Sequence, residues 1–209
     1  MFDDNPAQQT AFKREKSYHP SDYPHVFTFS LVWDVPFGSG RKWKSDNGLV
    51  NGVLGGWQLA TVNSYTTGSR LFVTTNNTLP FFNIGLRPDL ASSDIRSDIS
   101  MSDYDPNDPA RNTYLNRSAF ATPQPGKYGN APRALETRGP MRLDESFALM
   151  KQTKIAERVT LQIRMEMQNP LNRVVFGNPT VDFTSAAFGR ISSTQIGPRN
   201  IQLGMKLMF

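Results

Sequence analysis

Three stretches of the chain alternate apolar and polar residues one for one. From Phe27 to Val35, one row holds Phe27, Phe29, Leu31, Trp33 and Val35, and the other holds Thr28, Ser30, Val32 and Asp34. From Val159 to Met167, the residues Val159, Leu161, Ile163, Met165 and Met167 alternate with Thr160, Gln162, Arg164 and Glu166. At the C-terminus, Ile201, Leu203, Met205, Leu207 and Phe209 alternate with Gln202, Gly204, Lys206 and Met208. Weaker alternation occurs near Trp57–Thr67, with Trp57, Leu59 and Tyr65 in one row, and near Arg142–Lys151, with Leu143, Phe147 and Leu149. Side chains of a strand point to opposite faces in turn, whereas at about 100° per residue the same positions would scatter around a helix. The pattern therefore predicts strands at 25–35, 57–67, 142–151, 158–168 and 199–209.

Strand length selects the environment. Strands of soluble proteins average about 5–6 residues, and a tilted strand that crosses a membrane needs roughly 9–11. The three clear stretches have the membrane length, and their polar rows carry Asp34, Arg164, Glu166 and Lys206, as a water-filled lumen would allow. The expected fold is all-β, an antiparallel segment of a transmembrane β-barrel. Along one face of the strand at 158–168, Arg158, Gln162, Arg164 and Glu166 are the lumen-facing candidates. They could guide a solute or pack against material filling the lumen, and the packing role is the favoured one.

Connections of unequal length predict sidedness. A short turn, Gln152–Glu157, separates two strands, whereas 68–140 and 169–198 are long and 1–24 forms a leading loop. Outer-membrane barrels have short periplasmic turns and longer extracellular loops. With the C-terminus on the periplasmic side, the two long connections are expected to be extracellular and 36–56 periplasmic. In that last segment Asp46-Asn47-Gly48 is a turn signal, and Leu49–Leu54 is expected to form a short interfacial turn. All three tryptophans, Trp33, Trp43 and Trp57, fall near this end with Phe37. Singly, Trp33 and Trp57 read equally well as core residues; together with Trp43 they suggest an interfacial aromatic girdle.

Composition adds mainly exclusions. The 209 residues are 38% apolar, with a mean hydropathy of −0.46, values common among soluble proteins. No apolar run reaches the roughly 18 residues of a transmembrane helix, but barrel strands meet lipid with only alternate residues and leave hydropathy low. The absence of cysteine removes disulfides, thiol catalysis and thiolate metal sites. A net charge of +5 is spread along the chain without a basic stripe, so nucleic acid is not an expected partner. The opening residues Met1-Phe2-Asp3-Asp4-Asn5-Pro6 carry neither a basic nor an apolar export region. Export and barrel strands are reconciled if the chain is a fragment of a longer protein whose leader lies upstream.

Several strings resemble the large, Oar-like group of TonB-dependent outer-membrane receptors. They are His25-Val26-Phe27 through Val35-Pro36-Phe37-Gly38-Ser39-Gly40-Arg41, Leu54-Gly55-Gly56-Trp57-Gln58-Leu59, Arg87-Pro88-Asp89-Leu90 and Tyr128-Gly129-Asn130-Ala131-Pro132-Arg133. Further strings are Glu166 through Arg173, Phe188-Gly189-Arg190-Ile191 and Pro198 through Leu207. They run in the family's order from about residue 10 to 209. One departure is Asn169-Pro170-Leu171-Asn172, where the family usually shows an Asn-Leu-Phe-Asn type of string. The resemblance implies a 22-stranded barrel with an N-terminal plug, powered through the TonB complex. This chain would supply about five strands and lack the plug. The implied function is energy-coupled uptake of a siderophore, glycan, peptide or cobalamin. Leu203, Met205, Leu207 and Phe209 look like the C-terminal signal read by the barrel assembly machinery. The remaining implied partners are outer-membrane lipid, the rest of the barrel, the plug and the TonB complex.

Other chemistry finds little support. His19 and His25 lack metal-ligand spacing. Asp103-Tyr104-Asp105-Pro106-Asn107-Asp108 begins like a calcium loop, but it lacks the sixth-position Gly and has Tyr114 where a twelfth-position Glu belongs, so an Asx-rich turn is the better reading. Gly38-Ser39-Gly40 reads as turn chemistry, not a nucleophile elbow. Asp144 and Glu145 are adjacent and would face opposite sides of a strand, which forbids a paired acid and base. No cofactor, metal or enzymatic activity is expected. Two alternatives remain open: a soluble β-sandwich binding module, in which a second sheet would cover Phe27, Phe29, Leu31 and Trp33, and a small structural outer-membrane barrel.

Overall fold

The alternating stretches form five long strands in one antiparallel sheet. In this computed structural model the described residues are 15–38, 40–76 and 86–209. Residues 1–14 of the leading loop, Ser39 of the Gly38-Ser39-Gly40 turn and 77–85 of the long connection lie outside them. The strands are β1 (Val26–Asp34), β2 (Trp57–Thr66), β5 (Arg142–Ala156), β6 (Val159–Gln168) and β7 (Asn200–Met208). Their order in the sheet, β1-β2-β5-β6-β7, follows the chain. Two short strands, β3 (Asp89–Leu90) and β4 (Phe120–Ala121), pair separately.

Two features of the sheet differ from the sequence expectation. The strand expected to end at Lys151 continues to Ala156, giving β5 15 residues. It is prolonged because Gln152, Thr153 and Lys154 pair with Gln162, Leu161 and Thr160 before the register shifts at Ile155. The expected 152–157 turn therefore shrinks to Glu157-Arg158. Arg158, expected on the lumen row of a strand, sits in that turn and belongs to neither face of the ladder. The second feature is a helix, α1 (Gly48–Leu54), where a turn was expected between β1 and β2. Asn47 caps it, its side chain accepting from the Leu49 and Val50 amides at 2.9 and 3.4 Å.

The chain divides into two compact units. One comprises Val26–Thr66, Arg142–Val175 and Ile196–Phe209 and contains the five-stranded sheet. Within the five long strands Glu145 is the only buried residue. A sheet in water gains its stability by covering one face, so this ladder has no protein core of its own.

The other unit is built from the described part of Met1–His25 with Thr67–Met141 and Phe176–Gln195. Both long connections, expected to be plain loops, thus contribute to one folded body. Its core includes Leu71, Val73, Tyr104, Tyr114, Leu115, Phe120, Leu135, Phe183, Phe188 and Ile191. Phe120, Phe183 and Phe188 form an aromatic cluster in which Phe188 meets the other two edge-on at 5.3 and 5.4 Å. The isolated bridge Thr74↔Asp182 joins two of the segments, and Phe176↔Thr194 closes Phe176–Gln195 on itself. The Tyr104 hydroxyl donates to the Asn112 carbonyl at 2.8 Å and accepts from the Ile191 amide at 2.7 Å. Both polar ends of a buried ring are thereby satisfied.

The acidic run 103–108 folds as a turn held by arginine. Arg111 lies 2.8 Å from Asp108 and 3.6 Å from Asp105, and the Asn107 amide donates to Asp105 at 2.9 Å.

Candidate membrane interface and lumen face

Strand register divides the sheet into two chemically distinct faces. Cross-strand partners share a face. The row Trp33↔Leu59↔Leu149↔Met165↔Leu203 is apolar on all five strands. The adjacent row Leu31↔Thr61↔Phe147↔Met167↔Ile201 carries one hydroxyl. On the edge strand β1, Phe27 is 60% exposed and Phe29 44%. On β7, Leu203 and Met205 are 74% and 77% exposed. No second sheet covers these residues among those described, which removes the β-sandwich reading. Burying one such side chain is worth about 1.5–3 kcal/mol, so exposing this many to water is untenable. Hydrocarbon resolves the conflict.

The opposite face holds the polar and charged side chains, with Val32, Ala60, Val62, Ala148 and Met150 among them. Gln162, Arg164 and Glu166 lie on it opposite Lys206, Gly204 and Gln202 of β7. Arg164 and Glu166 form an ion pair. Along β5 Arg142 pairs with Asp144 at 3.3 Å, and from β2 to β1 the Gln58 amide donates to Asp34 at 2.8 Å. Thr28 and Ser64 hydroxyls meet at 3.4 Å. These groups suit contact with water. Of the four lumen-facing candidates, three share this face, and Arg158 is displaced into the turn.

All three tryptophans lie at one end of the sheet. Trp33 and Trp57 are on the apolar face, at the last turnings of β1 and β2, paired with Leu59 and Lys151. Trp43 lies in the β1–β2 connection against Phe37, ring centroids 4.9 Å apart, and is 49% exposed. The connection is closed by hydrogen bonds from Val35 to the Trp57 carbonyl (2.9 Å) and from Trp43 to the Pro36 carbonyl (3.0 Å). Gly38 and Gly55 touch backbone to backbone: a Cβ on Gly38 would lie 2.6 Å from the Gly55 Cα. Gly56 combines φ +73° with a Cβ position 2.0 Å from the Gln152 carbonyl oxygen, so only glycine fits.

Two charged residues, Lys151 and Glu145, interrupt the apolar face, and the periodicity reading gave neither a partner. Lys151 donates from Nζ to the carbonyls of Gly52, Val53 and Gly55 at 2.8, 2.8 and 2.9 Å. It thereby satisfies the open C-terminal end of α1. The same ammonium lies 4.8 Å from the Trp57 ring centroid. At the other end, Glu145 accepts from the Tyr65 hydroxyl at 2.9 Å and lies 3.5 Å from Arg173. As expected, Glu145 and Asp144 face opposite sides. Charge at an apolar parity position was the available signal, because such a group must find a partner. The partner lies 99 residues away for Lys151 and Gly52, beyond the reach of local pattern.

The Asn169-Pro170-Leu171-Asn172-Arg173 string ends β6 with two left-handed asparagines, φ 50° and 51°. The Asn169 side chain accepts from the Arg173 amide at 2.8 Å and donates to the Gly197 carbonyl at 3.1 Å. Asparagine tolerates this conformation and bonds locally, which explains its use at both places. On β7, Leu203, Met205 and Leu207 form the outward row, and Phe209 follows the last strand residue, 97% exposed.

Antiparallel strands of 9–15 residues, with an apolar face that no second sheet covers among the described residues and charged groups on the other, define a membrane-embedded β-sheet protein. A family model of the outer membrane beta barrel domain matches residues 2–202, and the chain belongs to that family. Its place is the outer membrane. Comparison with curated proteins and with solved structures found no match.

Proposed function

We propose that this chain forms the C-terminal wall of a TonB-dependent receptor of the Oar-like kind, one that takes up a siderophore, glycan, peptide or cobalamin with energy supplied through the TonB complex. The carrying observation is the sheet itself. Among the described residues β1 and β7 each pair on one side only, and an unpaired strand edge in hydrocarbon costs several kcal/mol per backbone group. Further strands must complete the wall, and the strings resembling the Oar-like group name the source of those strands and of the plug. In this reading Gln162, Arg164 and Glu166 face the lumen, Trp33, Trp43 and Trp57 form the periplasmic girdle, and Leu203, Met205, Leu207 and Phe209 address the assembly machinery. The body built on both long connections is then extracellular and supplies part of the ligand-facing surface.

The coding sequence upstream of Met1 provides the first test. In-frame sequence for a plug and further strands, with uptake by the complete product that stops when the proton gradient is collapsed, is the expected result. A stop codon and ribosome-binding site immediately before Met1 would instead favour the small structural barrel. Ligand uptake by cells making only these 209 residues would overturn the fragment reading.

A further inference from the structure

Helix α1 carries an apolar stripe that none of the described residues covers. At 3.6 residues per turn, Leu49, Val50, Val53 and Leu54 share one side, and Gly48, Asn51 and Gly52 the other. Leu49 is 81% exposed and Val53 65%. The inner side is anchored: the Asn51 side chain accepts from the Ser45 amide at 2.8 Å. The position of the helix is set by two residues of the apolar sheet face. Lys151 binds its last carbonyls, and the Trp57 indole donates to the Val53 carbonyl at 2.9 Å. The helix therefore stands on the side of the sheet that meets lipid, level with Trp33 and Trp57. Its stripe continues an established membrane surface.

We infer that α1 is a membrane-interfacial element, lying along the phospholipid leaflet at the periplasmic rim with Leu49, Val50, Val53 and Leu54 in the acyl-chain boundary. A short helix with one apolar side buries that side by about 5–10 Å at such a boundary. The approach is mixed in charge. Lys42 and Lys44 are exposed beside Trp43, within reach of lipid phosphates, while Asp46 is exposed on the same connection. The lysine stems can lie along apolar surface with their ammonium groups in the headgroup layer. The arrangement also accounts for Lys151. An ammonium on the lipid side of a strand is costly, and the helix end shields it while accepting its three hydrogen bonds.

The inference rests on the outer-membrane sheet and the sidedness proposed above. It is tested with single cysteines: these 209 residues contain none, and any cysteine elsewhere in the complete protein is first replaced by serine. The complete encoded protein is reconstituted in vesicles of phosphatidylethanolamine and phosphatidylglycerol, and Leu49→Cys, Val53→Cys, Gly48→Cys, Gly52→Cys and Leu203→Cys each carry a nitroxide. A Cβ at Gly48 or Gly52 meets nothing within 4 Å, so these controls fit without strain. Collision with oxygen relative to a water-soluble nickel complex is expected to be several-fold higher at 49, 53 and 203 than at 48 and 52. Aqueous values at 49 and 53 with a lipid value at 203 overturn the inference and leave the sheet reading intact. An aqueous value at 203 overturns the sheet reading itself. Shielding of 49 and 53 from both relaxants would show a protein partner and likewise overturn the proposal. Heat-dependent gel mobility equal to the parent's identifies the variants that have folded.

Discussion

Asp22 is held by two arginines from either end of one long connection. Arg138 donates to its carboxylate at 2.6 Å and Arg70 at 3.3 Å. Arg138 also donates to the Asp22 carbonyl, and Arg70 to the carbonyls of Leu135 and Glu136. This carboxylate is one tie of residues 15–25 to the folded body, beside Glu15, which pairs with Arg87 at 2.8 Å and Arg133 at 3.4 Å, and Tyr18, whose ring lies under Arg70. The hydrogen bond from Arg138 holds the Asp22 carboxyl below its ordinary value of 3.8, partial desolvation opposes this, and Arg70 adds to the lowering. A depressed acid binds its proton less tightly folded than unfolded. Its stabilisation is complete above the ordinary value and is lost as pH falls through the lowered one. Cleavage within 15–25 by an acid-active protease should therefore rise steeply only below the ordinary carboxylate range. Asp22→Asn should show the same susceptibility already at neutral pH. Equal resistance of variant and parent would remove Asp22 as a fastener.

At the scale of elements, β6 provides the sharpest test of which face meets which medium. Single cysteines at Gln162 and Arg164 should react with a water-soluble maleimide in outer membranes, and those at Ile163 and Met165 should not. Brominated lipids should quench fluorophores only at the odd positions. Uniform labelling along the strand would contradict the two-faced ladder. How much of these elements the sequence disclosed follows from the same geometry. β1, β6 and β7 were readable because each apolar side chain meets one continuous medium, and a uniform medium imposes period two. The end of β5 was not, because Gln152, Thr153 and Lys154 bring no apolar side chain to mark the period, although Thr153 shares a row with Leu161 and Leu207. α1 escaped because its seven residues are held by Lys151 and Trp57, and its own propensity is weak with two glycines. Of the candidate residues, those with a strand on either side were placed by parity, whereas Arg158 depended on a boundary shifted by one residue.

The whole molecule combines two different sources of stability. The body formed by Thr67–Met141, Phe176–Gln195 and the N-terminal segment has an ordinary buried core, in which Leu115 and Leu135 are 0% exposed. The sheet unit has none, and its apolar residues gain their free energy from lipid. The core was illegible beforehand because its members stand one or two at a time among polar and turn residues, and they meet only when segments far apart in sequence close together. Shortening a buried leucine should therefore damage one unit and spare the other. Leu135→Ala removes side-chain atoms that no water reaches, at a cost of about 2–5 kcal/mol depending on how far the site collapses. Loss of protease protection within 67–141, with the heat-dependent gel mobility of the sheet retained, is the expected result. Joint loss of both in the same variant would mean that the units fold as one, and that lipid is not the separate support of the strands.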